Sequence, residues 1–269
     1  VAALDDSEYT TSTDLEDLGV QQVIDLEYDV GPGPLGLVVA ARNTLVGTFL
    51  FYQLLAWLGT SLGDVMRLIE GGDPMVDRAL RAGRELGRIR IEVLSDDGVW
   101  TLAGVYDEAG PIASDRQLVQ LPEVSRGGPL RVRLHVTRGY WRFDQLAVVR
   151  LGERVVPERL APVRVERLID GRWRADDHAR VTLADTEAHL ATFPGEAYRL
   201  SFDLPAGDHE LFVESRGYYY EWMREPWLAE ENTVEAARFM LDFRGALRRL
   251  APAYKRVEPN LEDLFFRSR

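Results

Sequence analysis

The residues that could do chemistry are few and far apart in the chain. No two of the four histidines, His135, His178, His189 and His209, stand three or four residues apart as helical zinc ligands do. The run Asp176-Asp177-His178 comes nearest to a metal motif, but three consecutive residues do not converge on one ion. Cysteine, a nucleophile elbow, a P-loop and an H-E-x-x-H pattern are all missing from the sequence. We therefore predict no catalytic residue, metal or cofactor, and carboxylate chemistry assembled in three dimensions is the enzymatic alternative.

A glycine pattern, G-x-G-x-x-G, occurs at Gly31, Gly33 and Gly36 directly after a strand-like segment. A dinucleotide-binding loop follows a uniformly apolar strand and has an acidic residue about twenty positions later. Here the preceding segment alternates charged and apolar residues, and the region around Gln53 is uncharged. We therefore expect no nucleotide site at these glycines.

The densest aromatic group lies in GYYYEWMREPWL, residues 217 to 228. On a strand, one face of this segment would pack in the core, and the other could stack on a sugar ring or anchor a protein interface. Tyr140 and Trp141 lie at the end of another strand-like segment, and they too could either pack in the core or contact a ligand or partner. Core packing is the favoured interpretation, and the candidates for binding a ligand or partner are Tyr140, Trp141, Tyr219, Trp222 and Trp227.

A long uncharged stretch runs from Gly31 to Gly63, with Arg42 as its one charge. As a helix, residues 44 to 63 could cross the roughly 30 Å apolar core of a bilayer. A crossing would separate the strand at residues 23 to 30 from its partners, so we favour a buried core helix. A helix in a membrane interface or docked on a partner is the intermediate alternative. The docking candidates are Phe49, Phe51, Tyr52 and Trp57.

The elements that would position these residues are mainly strands. Ile24, Leu26 and Tyr28 alternate with charged residues, and the same period recurs at residues 89–93, 130–136 and 198–204. Strands with one wet face form antiparallel sandwiches or barrels. Asp97-Gly98 and Asp170-Gly171 predict tight hairpins. Helix starts are predicted at Asp73-Pro74, at Asn232 or Thr233, and at Pro259.

The fold class predicted from these patterns is mainly β: a jelly-roll-like β-sandwich with a helical insertion, a second smaller β-sandwich domain and C-terminal packing helices. Residues 1–20 are acidic with no basic residue and predict a flexible arm. The first sandwich is assigned to residues 21–152 with the helical insertion at 44–87. The smaller β-domain takes residues 163–224, and the packing helices take 225–269.

The chain of 269 residues carries a formal net charge of -12. An acidic surface repels phosphate backbones, so no nucleic-acid partner is expected. The chain begins at Val1 rather than methionine, so either a leader has been cleaved or the sequence has been trimmed, and no signal sequence is left to decide between them. The location expected is extracytoplasmic, in the periplasm or at the cell surface.

Residues 89 to 149 contain Ser95, Asp97, Gly98 and Trp100 between an apolar strand and a later strand with alternating arginines. This arrangement resembles galactose-binding-like β-sandwiches of the discoidin type, with one residue fewer before the tryptophan. The resemblance covers under a quarter of the chain. It implies a jelly-roll-like sandwich more strongly than it implies sugar binding.

Three functions remain open from the sequence. The first is a non-catalytic structural or accessory subunit that docks on a larger protein assembly, which could lie at a membrane. The alternative is a carbohydrate-binding module that binds a glycan. An enzyme with carboxylate chemistry is third, since no constellation of residues supports it.

Overall fold

We analysed a computed structural model of the chain, which describes residues 7–107, 114–124, 127–215, 217 and 225–267. The chain divides into two compact units. Unit 1 comprises Val1–Gly152 and Met223–Arg269, and unit 2 comprises Glu153–Trp222. Unit 1 is therefore built from both ends of the chain, with unit 2 inserted between them.

The described part of unit 1 contains seven strands and seven α-helices. The strands are β1 (Gln21–Val30), β2 (Leu35–Asn43), β3 (Ile89–Leu94), β4 (Trp100–Tyr106), β5 (Asp115–Gln120), β6 (Gly128–Thr137) and β7 (Trp141–Arg150). The helices are α1 (Val46–Leu58), α2 (Leu62–Glu70), α3 (Pro74–Gly87), α5 (Glu225–Leu228), α6 (Thr233–Leu241), α7 (Phe243–Val257) and α8 (Leu261–Arg267). Short 3₁₀ turns at Gly59–Ser61 and Glu258–Asn260 precede α2 and α8. Unit 2 contains β8 (Arg164–Ile169), β9 (Arg172–Ala175), α4 (Asp177–Ala184) and β10 (Tyr198–Ser201).

The strands form antiparallel sheets, as their two-residue alternation predicts. Unit 1 has a four-stranded sheet in the order β1-β6-β3-β4 and a three-stranded sheet in the order β5-β2-β7. Every recorded strand pair in both sheets is antiparallel. The glycine pattern spans the connection from β1 to β2 and the first two residues of β2, so it makes no phosphate-binding helix start.

The wet faces of β1 and β6 explain why these two strands pair in one register. Asp25 lies opposite Arg133 and Glu27 lies opposite Arg131. The Arg133 guanidinium donates to Asp25 at 2.7 Å and lowers the pKa of that carboxyl. These ion pairs are exposed and add little stability. A slip of one residue would separate them and also turn the apolar residues to solvent, so they help to fix the register.

One buried apolar cluster joins both sheets of unit 1 to its helices. β2 contributes Leu37 and Val39, β3 contributes Ile89 and Ile91, and α7 contributes residues from its own buried face, including Leu247, Leu250 and Tyr254. Because side chains two apart on a strand share a face, each sheet turns an apolar face into this cluster, and β1 and β6 turn their charged face outward.

Two of the three predicted helix starts agree with the structure, whereas the predicted start at Pro259 falls in the 3₁₀ turn Glu258–Asn260 and α8 begins at Leu261. Pro74 is the first residue of α3. The side chain of Asn232 accepts from the N–H of Glu235 at 3.1 Å and caps α6. Asp242 accepts from the N–H of Gly245 at 2.9 Å and caps α7 in the same way.

The uncharged stretch is divided between a strand and helices. Residues 35–43 form β2, and α1 ends at Leu58, after which Gly59 has a positive φ of 48°. A Cβ at position 59 would lie 2.3 Å from Glu231 Oε2, so glycine is required there. Among the described residues, no helix combines the length and apolar character that a membrane span needs.

The N-terminal segment differs from the predicted flexible arm. Residues 7–20 pack on unit 1: Tyr9 and Phe143 exchange two backbone hydrogen bonds, at 2.8 and 2.9 Å, and Leu18 is buried in the core. The Thr13 N–H donates to Glu258 Oε1 at 2.8 Å. The acidic composition of the segment suggested repulsion and disorder, but its acids meet basic residues from distant parts of the chain, such as Arg248 on Asp17.

Two such contacts hold the ends of unit 1 together. Arg42, the one charge of the uncharged stretch, donates to Glu8 at 2.6 and 2.7 Å. It also lies 3.5 Å from Glu262 of α8, which accepts from Arg142 at 2.9 Å. Two arginines from neighbouring strands thus bind one carboxylate from each end of the chain.

Unit 2 is a three-stranded antiparallel sheet, in the order β10-β8-β9, with the helix α4. Asp170 and Gly171 have φ of 51° and 73° and form the predicted two-residue hairpin between β8 and β9. In the described part of unit 2, residues 153–215 and 217, there is no second sheet to complete the predicted smaller sandwich. The alternation at residues 198–204 predicts a strand over that whole range, but β10 is shorter and ends at Ser201.

We expect the variant Glu258→Ala to lower the free energy of unfolding of the chain by about 2 kcal/mol, because it removes the acceptor used by Thr13, Ser12 and Lys255. Burial raises the pKa of Glu258, but the hydrogen bonds from Lys255, Thr13 and Ser12 outweigh it, so the pKa lies below its ordinary 4.5. The carboxylate's stabilisation is therefore complete above pH 4.5 and is lost as the pH falls through the lower folded-state pKa.

Urea unfolding of the wild type and the variant at a series of pH values measures this difference. The gap between them should close as the pH falls well below 4.5. The exposed carboxylate Glu123 provides the control, since Glu123→Ala should change little at any pH. An N-terminal segment that is loose in solution would make Glu258→Ala as silent as the control.

Candidate functional site

Tyr140 and Trp141, predicted as ligand or partner contacts, lie in the core of unit 1, with relative exposures of 2% and 3%. The ring of Trp141 meets Tyr106 edge to face at a centroid distance of 5.1 Å. Tyr140 packs on the first turn of α1 so closely that a Cβ at Gly47 would lie 2.5 Å from its hydroxyl. Neither ring can stack on a ligand, because both are needed to fill the space between β7 and the helices.

The other aromatic candidates fall in different places. Tyr219 and Trp222 lie outside the described residues. Trp227 is on α5, half-buried, and its ring is 5.1 Å from that of Tyr52 on α1. Of the tryptophans in the 217–228 segment, Trp227 is the one that the structure describes, and it packs against α1.

The docking-helix candidates on α1 are split between core and surface. Phe49 meets Tyr254 of α7 at 5.2 Å, and Trp57 meets Phe239 of α6 at 6.2 Å. Both rings are half-buried and pack within unit 1. Phe51 is the exposed member, at 46%. α1 thus packs within unit 1 but is less buried than the core helix that the favoured interpretation predicts. Its buried residues are Val46, Leu50, Leu55, Ala56 and Leu58, and most of the others are half-buried.

A cleft opens beside this helix, between α1, α5 and α8, and we call it the helix cleft. Its volume is about 200 Å³. Its walls are mostly apolar and aromatic, and the lining residues are Leu45, Thr48, Phe49, Tyr52, Gln53, Ala56, Trp227, Glu230, Leu261 and Phe265. A concave apolar surface with a few polar groups is typical of a small-molecule site.

The polar groups of the helix cleft are Thr48, Gln53 and Glu230. The hydroxyl of Thr48 is fully buried and has no hydrogen-bond partner among the described residues. Buried hydroxyls are normally paired, so this group is an exception within the wall of the cleft. Glu230 is exposed, and none of the described residues that line the walls is an arginine or a lysine. The cleft is therefore aromatic, with a negative charge at its edge.

The connection from α5 to α6 positions Trp227 and Glu230 on α1. The N–H of Asn232 donates to the carbonyl of Trp57 at 2.9 Å. The carboxylate of Glu231 accepts from the N–H of Thr60 at 2.7 Å and from its hydroxyl at 2.9 Å, and these bonds lower the pKa of Glu231. Two anchors at the end of α1 thus fix the wall of the cleft that α5 supplies.

Unit 2 has a different kind of surface. Its described residues bury only Pro162, Val165, Glu166 and Ala179. Among the described residues of unit 2, fourteen large apolar side chains are exposed: Val155, Val156, Val163, Leu168, Ile169, Val181, Leu183, Phe193, Leu200, Phe202, Leu204, Leu211, Phe212 and Val213. The last three form a continuous run, the 211–213 run, with exposures of 66%, 81% and 94%.

The remaining polar motifs satisfy their own hydrogen bonds. His135 lies 2.8 Å from Glu92 across β6 and β3, and Ser95 hydrogen-bonds to Asp97 within the hairpin that resembles the discoidin motif. Trp100 of that hairpin lies beneath the Arg133 guanidinium at 4.1 Å. Within the described ranges, no three His, Asp or Glu residues gather as a metal site would require.

No protein-family model matches the chain, and no curated protein or solved structure is significantly similar to it. The candidate surfaces are therefore defined by their geometry alone: the helix cleft in unit 1 and the exposed apolar residues of unit 2. The sequence indicated Phe49, Tyr52 and Trp227 of the cleft but not Thr48, Gln53 or Glu230. Glu230 stands three residues after Trp227, which is the one local signal that could have pointed to it.

We expect Trp141→Ala to lower the free energy of unfolding by about 3–5 kcal/mol, because it leaves a large cavity in a well-packed core. Phe51→Ala, on the exposed face of α1, is the matched control and should cost about 1 kcal/mol or less. Chemical unfolding followed by circular dichroism compares the two. Equal losses would contradict the inward position of Trp141.

Proposed function

We propose that the protein is a non-catalytic accessory subunit that docks on a larger protein assembly through unit 2. The observation that carries the proposal is the imbalance within unit 2, which exposes fourteen large apolar side chains and buries four described residues. Small units bury a lower fraction of their surface than large ones, but a stable one still needs a core. Exposed apolar surface on this scale marks an interaction site in a soluble protein.

The 211–213 run is the strongest single feature of this surface. Leu211, Phe212 and Val213 are consecutive, lie outside the strands of unit 2 and are all exposed. Covering the three side chains with a partner would contribute on the order of 5 kcal/mol, before the entropic cost of association. A few such anchors near the centre of an interface usually carry most of its affinity.

The finer features of the fold belong to the same proposal. We infer that the two sheets of unit 1 are the layers of a jelly-roll-like sandwich, which the shared apolar cluster supports. Unit 1 would then be the rigid support, and unit 2 the part that meets the assembly. The extracytoplasmic location and the membrane association of that assembly stay predictions.

The triple variant Leu211→Ser, Phe212→Ser, Val213→Ser tests the proposal. The protein is purified from its own cells under native conditions, and its mass is measured by size-exclusion chromatography with light scattering. We expect the wild type to elute with a partner at a fixed ratio and the triple variant to lose it, with affinity lower by about a hundredfold.

The control variant is Val234→Ser, Leu241→Ser, which removes two equally exposed apolar side chains from α6 of unit 1. It should keep the partner. Circular dichroism should be the same for all three proteins, because the substituted side chains are exposed. A wild-type protein that elutes alone, or a triple variant that retains its partner, would contradict the proposal.

A further inference from the structure

The strand β10 lies at one edge of the unit 2 sheet, because the strand order is β10-β8-β9. The N–H of Leu168 on β8 donates to the carbonyl of Ala197, directly before β10, at 2.9 Å. Hydrogen-bonding direction alternates along an antiparallel strand, so Ser201 also turns its backbone groups to β8. Tyr198 and Leu200 therefore turn theirs to the free edge of the sheet. A free edge of this kind is a template for one more strand.

The segment that follows β10 has the residue types of a strand but does not belong to the sheet. Residues 209–215, HELFVES, contain the 211–213 run, and every side chain in the segment is exposed. Four residues, PAGD, connect it to the alternating residues 198–204. Within this connection Gly207 has a φ of 119°, and the Nε2 atom of His209 lies 2.6 Å from the carbonyl oxygen of Pro205. The chain therefore already bends over a length that is usual for a β-hairpin loop.

A hairpin closed through this loop would match apolar residues with apolar residues. With PAGD as a four-residue loop, Phe202 lies opposite Leu211. Two residues further from the loop, Leu200 lies opposite Val213, and Val165 of β8 already lies opposite Leu200 on its other side. An apolar row would thus cross three strands on one face. When the residues that flank the loop are hydrogen-bonded to each other, so are Leu200 and Val213, and the backbone of Leu200 already faces that way.

The other face of this hairpin carries one favourable and one unfavourable pair of charges. Arg199 lies opposite Glu214, and Asp203 lies opposite Glu210. In the structure Glu214 instead accepts a hydrogen bond from Arg159 at 3.1 Å, in an exposed ion pair that adds little stability. The segment therefore exchanges one exposed ion pair for another when it moves, and charge alone does not hold it in either place.

We propose that residues 209–215 form a strand that closes on the free edge of β10 and opens again, and that unit 2 docks in the open form, which the structure shows. In the closed form the 211–213 run is paired within the sheet and is withdrawn from a partner. The occupant of the edge is this segment of the same chain, because its loop length and its residue pattern both match β10. The role of the open form rests on the proposed function of unit 2, whereas closure itself does not.

The chain contains no cysteine, so closure can be measured with one engineered pair of thiols. Arg199→Cys with Glu214→Cys places the two thiols opposite each other in the closed form, at a separation that a disulfide spans. Arg199→Cys with Ser215→Cys is the matched control, because those two side chains lie on opposite faces. In a glutathione redox buffer, the full chain with the first pair should form an intramolecular disulfide with an effective concentration at least tenfold higher than that of the control.

Non-reducing gel electrophoresis and mass spectrometry identify the products. Equal effective concentrations for the two pairs would overturn closure, and a disulfide-linked dimer as the main product would overturn the assignment of the edge to the same chain. The three substituted side chains are exposed, so circular dichroism of the reduced variants should match that of the wild type.

The same variant, Arg199→Cys with Glu214→Cys, tests the role of the open form in docking. Its oxidised and reduced forms differ in one bond, and both keep the 211–213 run intact. The partner that co-purifies with the wild type should bind the reduced form and should bind the oxidised form at least tenfold more weakly. Equal binding to the two forms would overturn the requirement for the open form. A wild type without a partner contradicts the proposed function alone, because the disulfide measurement needs no partner and still decides closure.

Discussion

The structure of unit 1 depends on one buried apolar cluster that neither of its sheets nor its helices could form alone. β2 and β3 each turn one face into it, and α7 adds the buried face that contains Leu250 and Tyr254. A sheet with one wet face is stable only when its apolar face is covered. Other features of the unit follow from this requirement: the charged outer face of β1 and β6, the inward position of Trp141 and the packing of α1 against α6 and α7.

The features that could be predicted from the sequence are those that depend on neighbouring residues. Alternation along β1 and β6 predicts antiparallel strands with one buried face, Asp170-Gly171 predicts a two-residue hairpin, and Asn232 predicts the start of α6. Each of these signals lies within a few residues and has a direct physical cause in backbone geometry or capping. In the structure, contacts between distant residues leave these local preferences unchanged.

The features that could not be predicted depend on contacts between distant residues. The acidic composition of residues 7–20 indicates disorder, yet Thr13 is held by Glu258 from the other end of the chain. The helix cleft has the same origin, since its walls come from residues 45–56, 227–230 and 261–265. No local pattern places Thr48 beside Trp227. Composition reports what a segment contains, but not which distant groups will meet it.

The discontinuity of unit 1 constrains the order in which the protein can fold. During synthesis the first seven strands leave the ribosome before α6, α7 and α8 exist, since the N-terminal part of a chain emerges first. The apolar faces that Leu247 and Leu250 cover must therefore wait, open to water, while all of unit 2 is translated. A nascent chain in that state is a natural client for chaperones, and a premature stop codon before residue 239 would release a product that stays in it.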